Sequence, residues 1–489
     1  MRGLKSLAGG IGLIAVLAGL PAQAQITVDQ AAALERDLRG WIGGLVGPLA
    51  DPAKLPIRLA PAGERYRLEL GMMPFPWFSA SADTPTTAFL RPLGDNRWAL
   101  EEFRAPAAMT VESLPERKKL FAMTIGEQRL QAEIDTSFAT PTRIEGQFGR
   151  IVQDTAGPLG VAVTKIRQFG FNTVWQPSGG GRLSQVSQSK MTGYETSRTA
   201  PGDGKFTFSA TEMTSTSKGD GVSPEHLGAT IRTLSALIGD VTAKPDGVKG
   251  EHPDSPTVGQ RKMLHALLDN VAELFLRVET GQTWTGMKFS GADMNAQLDR
   301  FNLTSTMSAP GGKAEFGIRL ELAGFQSAMI PAGPIRQLVP KRIAIAPRLT
   351  GAPKGTVVAF LSRAIDVAGK DDADLMDEAT QLLSDNPLVV ALDDLDIDLG
   401  TSRLRGSGQL KVAAADDITG AAELRMTGLD ALIRSLRQVP EAAMATPILL
   451  MLKGLGEAAG AETVWRIVYA EQRVTVNGSD LSALLGGNR

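Results

Sequence analysis

Three histidines, His226, His252 and His265, are the first residues to weigh for chemistry in a chain that has no cysteine. A zinc site needs ligands clustered at characteristic spacings, and neither a thiolate nor an H-x-x-x-H pair is present to supply them. His226 falls in the first turn of an expected helix, His252 in a Pro/Asp loop, and His265 one step outside an apolar helical stripe. Each is read as structural, because a lone histidine without a second ligand or a nucleophile beside it does no chemistry. Serine fares no better: no G-x-S-x-G occurs, and the two S-x-x-K matches, Ser187 to Lys190 and Ser215 to Lys218, lie in strand or loop sequence rich in Ser and Thr. Gly454, Gly456 and Gly460 follow a helix instead of a strand, so no phosphate loop is formed.

One acidic run is better placed. Asp394, Asp396 and Asp398 alternate with Leu395, Ile397 and Leu399 ahead of Gly400, which sets three carboxylates on one strand face. Calcium takes such oxygens, but they must surround the ion, and an extended strand cannot curl around it alone. The favoured reading is a polar strand face that pairs across a hairpin with Arg403, Arg405 and Lys411. On these grounds no catalytic residue, no metal site and no cofactor is assigned, and no ligand-binding residue can be named. An enzyme with a dispersed polar site is the least favoured reading.

The elements that carry these residues follow from hydrophobic period. A helix is expected from Thr27 to about Leu45, then strands from Arg65 to about Met213. Leu130, Ala132 and Ile134 alternate with charged or amide residues, as do Ile144, Gly146 and Phe148, which gives half-buried strands. Turns at Gly94-Asp95-Asn96, Pro177 to Gly181 and Pro201 to Gly204 divide the run into antiparallel hairpins. Ser223 is an expected N-cap with Pro224 at the first helical position and an apolar stripe of Leu227, Ile231, Leu234 and Ile238. A second helical stripe runs from Met263 through Leu267, Val271 and Phe275 to Val278, a face that must be buried against something.

Strands return over 284–325, helices are expected near Thr356–Ala368 and Ala373–Leu383, and strands recur at 388–399, 403–413 and 421–427. Helices at Leu429–Arg437 and Ala442–Leu455 and a hairpin of Val464–Tyr469 with Arg473–Asn477 close the chain. Strands in blocks, then helices in blocks, imply an α+β fold. The expectation is long curved antiparallel β-sheets of meander and hairpin type, with amphipathic helices packed on one side. The three-strand stretches 284–325 and 388–428 echo each other in topology without a fixed period.

Composition bounds the function. The chain has 489 residues, 43% apolar and 21% charged, which is globular and too polar for many membrane spans. With Lys+Arg 51 against Asp+Glu 53, no basic surface for nucleic acid is implied. Residues 1–24 read as a secretory signal peptide: Arg2 and Lys5, then an apolar Ile11–Leu20, then Ala22-Gln23-Ala24. The run is broken by Gly12, Gly19 and Pro21, short of the ~20 residues of a span, so cleavage after Ala24 is favoured over a retained anchor. Loss of two cations leaves 49 basic against 53 acidic side chains, a net charge of −4. A periplasmic protein without a membrane span fits, and absent cysteines fit an oxidising compartment.

The organisation expected is 1–24 signal peptide, 25–222 an N-terminal helix with a β-rich meander, 223–387 a helical block with a three-strand insertion, and 388–489 a strand-helix-strand unit. Long amphipathic strands between Arg65 and Met213 have few helices to cover them. Either a second layer of strands covers that face, or part of it lines a groove that could hold a lipid. Met72 to Phe78, Pro-broken and apolar, suits a partner or membrane-facing loop, or core packing.

The C-terminal third carries a resemblance. Its residues are the paired strands Ser402 to Leu410 and Ile418 to Leu424, the helix start Gly428-Leu429-Asp430, and Arg473-Val474-Thr475-Val476-Asn477-Gly478 followed by Leu481 and Leu484. This region resembles uncharacterised exported bacterial proteins, distantly similar to AsmA-like and YdgA-like envelope proteins. The resemblance implies long curved antiparallel sheets, a part in envelope integrity and, for AsmA-like members, movement of phospholipid between membranes. This chain is expected to depart from AsmA-like ones, since no obvious retained anchor is read in it. The expected function is therefore a non-enzymatic periplasmic protein that holds or shields a lipid or other apolar ligand in a β-sheet groove. The alternative is an envelope scaffold or assembly factor that binds another protein.

Overall fold

The computed structural model describes residues 26–46, 54–72, 78–94, 97–114, 117–135, 140–157, 160–200, 204–243, 256–291, 294–309, 312–331, 333–368, 381, 385–413, 417–439 and 444–481. The leader at 1–24, Met73 to Trp77 of the apolar patch, His252 and nearly all of the helix expected at Ala373–Leu383 lie outside them. Strands make up 61% of the described structure. The chain divides into two compact units, one of residues 1–206, 214–276 and 365–370, the other of 207–213, 277–364 and 371–489.

The first unit starts with α1 (Val28–Val46), followed by β1 (Ile57–Ala62), β2 (Arg65–Leu70), β3 (Phe78–Ala82), β4 (Thr86–Gly94), β5 (Arg97–Arg104), β6 (Ala108–Ser113), β7 (Lys119–Thr124) and β8 (Glu127–Asp135). Four long strands follow, β9 (Thr140–Gly157), β10 (Gly160–Gly179), β11 (Arg182–Ala200) and β12 (Gly204–Val222, whose residues 207–213 group with the second unit), then α2 (Pro224–Ala243) and α3 (Val258–Leu274). At about 3.3 Å per residue the 20 residues of β10 extend for roughly 65 Å. The antiparallel order β1-β2-β4-β5-β8 joins the first half of β9, and β3-β6-β7 joins its second half.

Two devices complete this unit. β1 bonds only β2 among the described strands, and α1 covers its other edge: Glu35 accepts from Leu59 N at 2.9 Å, and Arg39 donates to the carbonyls of Leu55 and Ile57. An unpaired strand edge is thereby given side-chain partners in place of water. In β9, Arg150 has φ 51°, which breaks the alternation so that Phe148 and Ile151, three apart, both face the core. That core joins Ala31 and Leu34 of α1 to inward positions along the strands, Ile57, Leu68, Leu90, Leu100, Met123, Leu130 and Ile144 among them. Of the two alternatives for the strand face between Arg65 and Met213, a covering layer or a groove, the structure shows a largely self-covered face as far as Ile151.

The helical cues are met in part. Ser223 caps α2, its hydroxyl accepting from His226 N at 3.3 Å. Ile231 and Leu234 of the predicted stripe are nevertheless exposed. α3 begins in a capping box of Thr257 and Gln260 and ends at Leu274; Phe275 is extended, and Val278 belongs to the next strand. The apolar stripe therefore continues past the end of the helix, and no residue of α3 is fully buried.

The second unit is a meander: β13 (Arg277–Ser290), β14 (Asn295–Ser308), β15 (Lys313–Ala323), the short β16 (Gln326–Ser327), β17 (Arg342–Pro353), α4 (Lys354–Val367), β18 (Leu388–Asp398), β19 (Arg403–Val412) and β20 (Ile418–Thr427). α5 (Leu429–Arg437), α6 (Thr446–Leu455), β21 (Glu457–Ala459), β22 (Glu462–Ala470), β23 (Arg473–Val476) and β24 (Ser479–Asp480) complete it, with the last turn of α4 grouped in the first unit. Neighbours pair antiparallel in the order β13-β14-β15-β17-β18-β19-β20-β22-β23-β24. β17 has no counterpart in the sequence reading, since Ile343-Ala344-Ile345-Ala346 alternates without a polar residue. It joins the two expected three-strand stretches. α5 and α6 pack on Met426 and Trp465, and the Trp465 indole N–H donates to Leu452 O at 2.7 Å.

Candidate functional site

Among the described residues, those singled out by type do not converge. The Ser223 hydroxyl lies 2.8 Å from His226 Nδ1, but it already caps α2 and no third group to orient the imidazole adjoins it among the described contacts. His265 Nε2 lies 2.8 Å from Asp366. Ser187 bonds Thr173 across β10 and β11 at 2.9 Å, a cross-strand hydroxyl pair. Among the described residues, no group of three metal-ligating side chains is found.

The acidic strand has a definite use. Asp394 accepts from Arg319 at 2.9 Å, Asp396 from Arg342 at 2.6 Å and from both Arg403 nitrogens at 2.7 and 2.5 Å, and Asp398 from Gly400 N at 2.6 Å in the turn. Each carboxylate is thus bonded within the fold. The row is not regular, because Pro347 has no N–H to give to β18 and the register slips there, leaving Asp393 and Asp394 opposite Ser407 alone. Asp393 takes Arg348 in a two-pronged contact at 2.8 and 2.9 Å.

These pairs roof one face of the sheet. Arg342 bridges Glu321, at 2.9 Å, and Asp396, and the bridge passes over Ala344, which is 0% exposed. Asp396 itself is 6% exposed. Hydrogen bonds from Arg403, then the charges of Arg403 and Arg342, hold its carboxyl below the ordinary value of 3.8 against the opposing effect of burial. Arg342 does the same to Glu321, below 4.5, and Arg348 to Asp393. A carboxylate with a depressed folded pKa stabilises the fold above its unfolded pKa, and that contribution is lost as pH falls through the folded value. Unfolding free energy is therefore expected to be level above about pH 5 and to fall below about pH 4, with a shallower fall in Asp396→Asn; acid titration followed by circular dichroism checks this.

The opposite face is apolar and open. Register sets Met307, Phe316, Leu349, Val390 and Leu410 directly opposite one another on β14, β15, β17, β18 and β19. They are 38%, 43%, 39%, 42% and 44% exposed, more than the alanines on the charged side. Four gaps of about 4.8 Å make this row roughly 19 Å long. On the same face Leu392, Leu395 and Ile397 of β18 lie in line, because the slip at Asp393 restores the side that simple alternation would lose. α5 and α6 cover the neighbouring part, at Leu404, Leu424 and Ile467. Gly406 keeps that part flat: Leu424 lies across it where a Cβ would stand. Gly406→Val is expected to cost about 1–3 kcal/mol in denaturant unfolding.

The span of this sheet is the part with a known counterpart. Residues 271–477 match a family described as an uncharacterized protein conserved in bacteria, DUF2125. The matched stretch covers the row, the charged roof and both α5 and α6. No curated protein and no solved structure matches the chain. Among the described residues no helix is long and apolar enough to cross a membrane.

Alternation marks Phe316 and the leucines of 395–410 as strand residues without revealing the row. The missing signal is register over five strands, which no local window contains.

Proposed function

We propose that this chain is a non-enzymatic protein of the bacterial envelope that holds a lipid acyl chain against the apolar face of the 277–481 sheet. The observation that carries the reading is the exposed row Met307, Phe316, Leu349, Val390 and Leu410. An apolar surface that crosses five strands without an interrupting charge is more than scattered exposed residues, and such patches mark binding surfaces. Its length suits an extended acyl chain, which gains about 0.8 kcal/mol for each methylene removed from water. The leader-like residues 1–24 support a periplasmic location, and the resemblance of residues 402–478 to AsmA-like and YdgA-like proteins supports a role among membrane lipids.

The test is mass spectrometry of organic extracts of the mature protein, purified from the periplasm without detergent, beside a matched periplasmic control. Phospholipid or another amphiphile at near one per chain is the expected result. An empty extract would sink the proposal and favour a scaffold that meets another protein through the same face.

A further inference from the structure

α6 is built the wrong way round for a helix that faces water. Leu449, Leu452 and Leu455 pack inward, as expected, yet Met444 just before the helix and Pro447, Ile448, Leu450 and Met451 within it are exposed. At 3.6 residues per turn Pro447, Leu450 and Met451 lie opposite Leu449 and Leu452 and form the outward face, with Leu450 next to Lys453. Lys453 is the only charged residue of α6. A helix apolar on both sides is found where its second side also leaves water.

The neighbouring helix shows what stands there. Asp430, Arg434 and Arg437 lie at i, i+4 and i+7 on α5, hence on one stripe. Asp430 of that stripe bonds Lys453 of α6 at 2.6 Å, so the stripe adjoins α6. Asp430 and Lys453 neutralise each other, which leaves the charge of Arg434 and Arg437, both exposed, beside the apolar stripe. An apolar strip edged by cations matches the surface of an anionic bilayer, apolar chains beneath negative headgroups. Ten residues rise only about 15 Å, half of the ~30 Å hydrocarbon core, so α6 can lie in the interface and cannot cross.

We infer that the α5–α6 pair docks the protein on an anionic membrane surface, with Pro447, Leu450 and Met451 entering the acyl boundary and Arg434 and Arg437 meeting headgroups. The inference deepens the lipid reading by naming the source of the ligand. α5 and α6 cover the sheet face beside the open row, through Leu404 and Leu424.

The experiment is flotation of the full-length mature protein with vesicles of phosphatidylcholine, alone or with added phosphatidylglycerol. Binding to the anionic vesicles, weakened by salt, is the expected result. Leu450→Asp with Met451→Asp should lower the partition constant at least tenfold, and Arg434→Gln with Arg437→Gln about thirtyfold on anionic vesicles only. All four positions are exposed, so unchanged thermal unfolding is expected and shows that folding is intact. Equal flotation of wild type and the Leu450/Met451 variant would overturn the docking. So would a concentration-dependent dimer abolished by that variant, which would make the stripe a contact between copies. The two readings fail separately: Leu349→Asp with Val390→Asp should empty the sheet face of lipid yet leave flotation in place.

Discussion

Leu349→Asp combined with Val390→Asp is expected to reduce lipid recovered with the purified protein by tenfold or more while leaving the fold in place. The two residues are directly opposite on β17 and β18, in the middle of the exposed row. Both side chains already meet water in part, so two aspartates there, directly opposite and repelling, cost the free protein about 1–3 kcal/mol. A bound acyl chain changes this, because it would strip water from both carboxylates with no partner to replace it, at several kcal/mol. Leu349→Ala with Val390→Ala should do less, losing a few methylene contacts at ~0.8 kcal/mol each. Lipid mass spectrometry normalised to protein, with thermal unfolding alongside, reads both. Undiminished lipid in the aspartate variant would show that the ligand lies elsewhere.

The largest effect on stability is expected at Asp396. Asp396→Ala should lower unfolding free energy by about 3–5 kcal/mol. The carboxylate is 8% exposed as a side chain and holds two guanidinium groups, Arg342 and Arg403, that are 32% and 36% exposed. Its removal leaves two cations close together over Ala344, with Glu321 the remaining partner of Arg342. Asp396→Asn, which keeps the shape and loses the charge, should cost less. Urea titration is the check, the expected result being a lower midpoint with an unchanged slope. A loss under 1 kcal/mol would mean that solvent replaces the carboxylate, as it does for exposed pairs such as Arg466 with Glu457.

Much of the architecture is legible in the sequence because its signals are local. Alternation locates β18, β19 and β20 to within a few residues, and Gly428-Leu429-Asp430 marks the start of α5. The pairing of the acidic strand with Arg403 is also legible, as opposite charges on successive strands joined by a short turn. The failures share one cause. Apolar spacing carries the expected α3 through to Val278, since the spacing continues into β13, where a strand uses the same residues. β17 escapes the alternation rule because its charged face is built from alanines beneath arginines supplied partly by other strands. Strand content alone leaves a covering layer and a groove undecided in the first unit, where α1 and the short strands supply the cover.

Sequence by itself determined the chain's antiparallel strand content and the starts of α2 and α5, properties of neighbours along the chain. Tertiary structure alone decided which faces are covered. Local breaks at Arg150 and Asp393 switch the side on which alternation lands, and register over five strands brings Met307, Phe316, Leu349, Val390 and Leu410 into one line. The physical reason is that exposure depends on what packs above a residue, and the covering groups come from far along the chain.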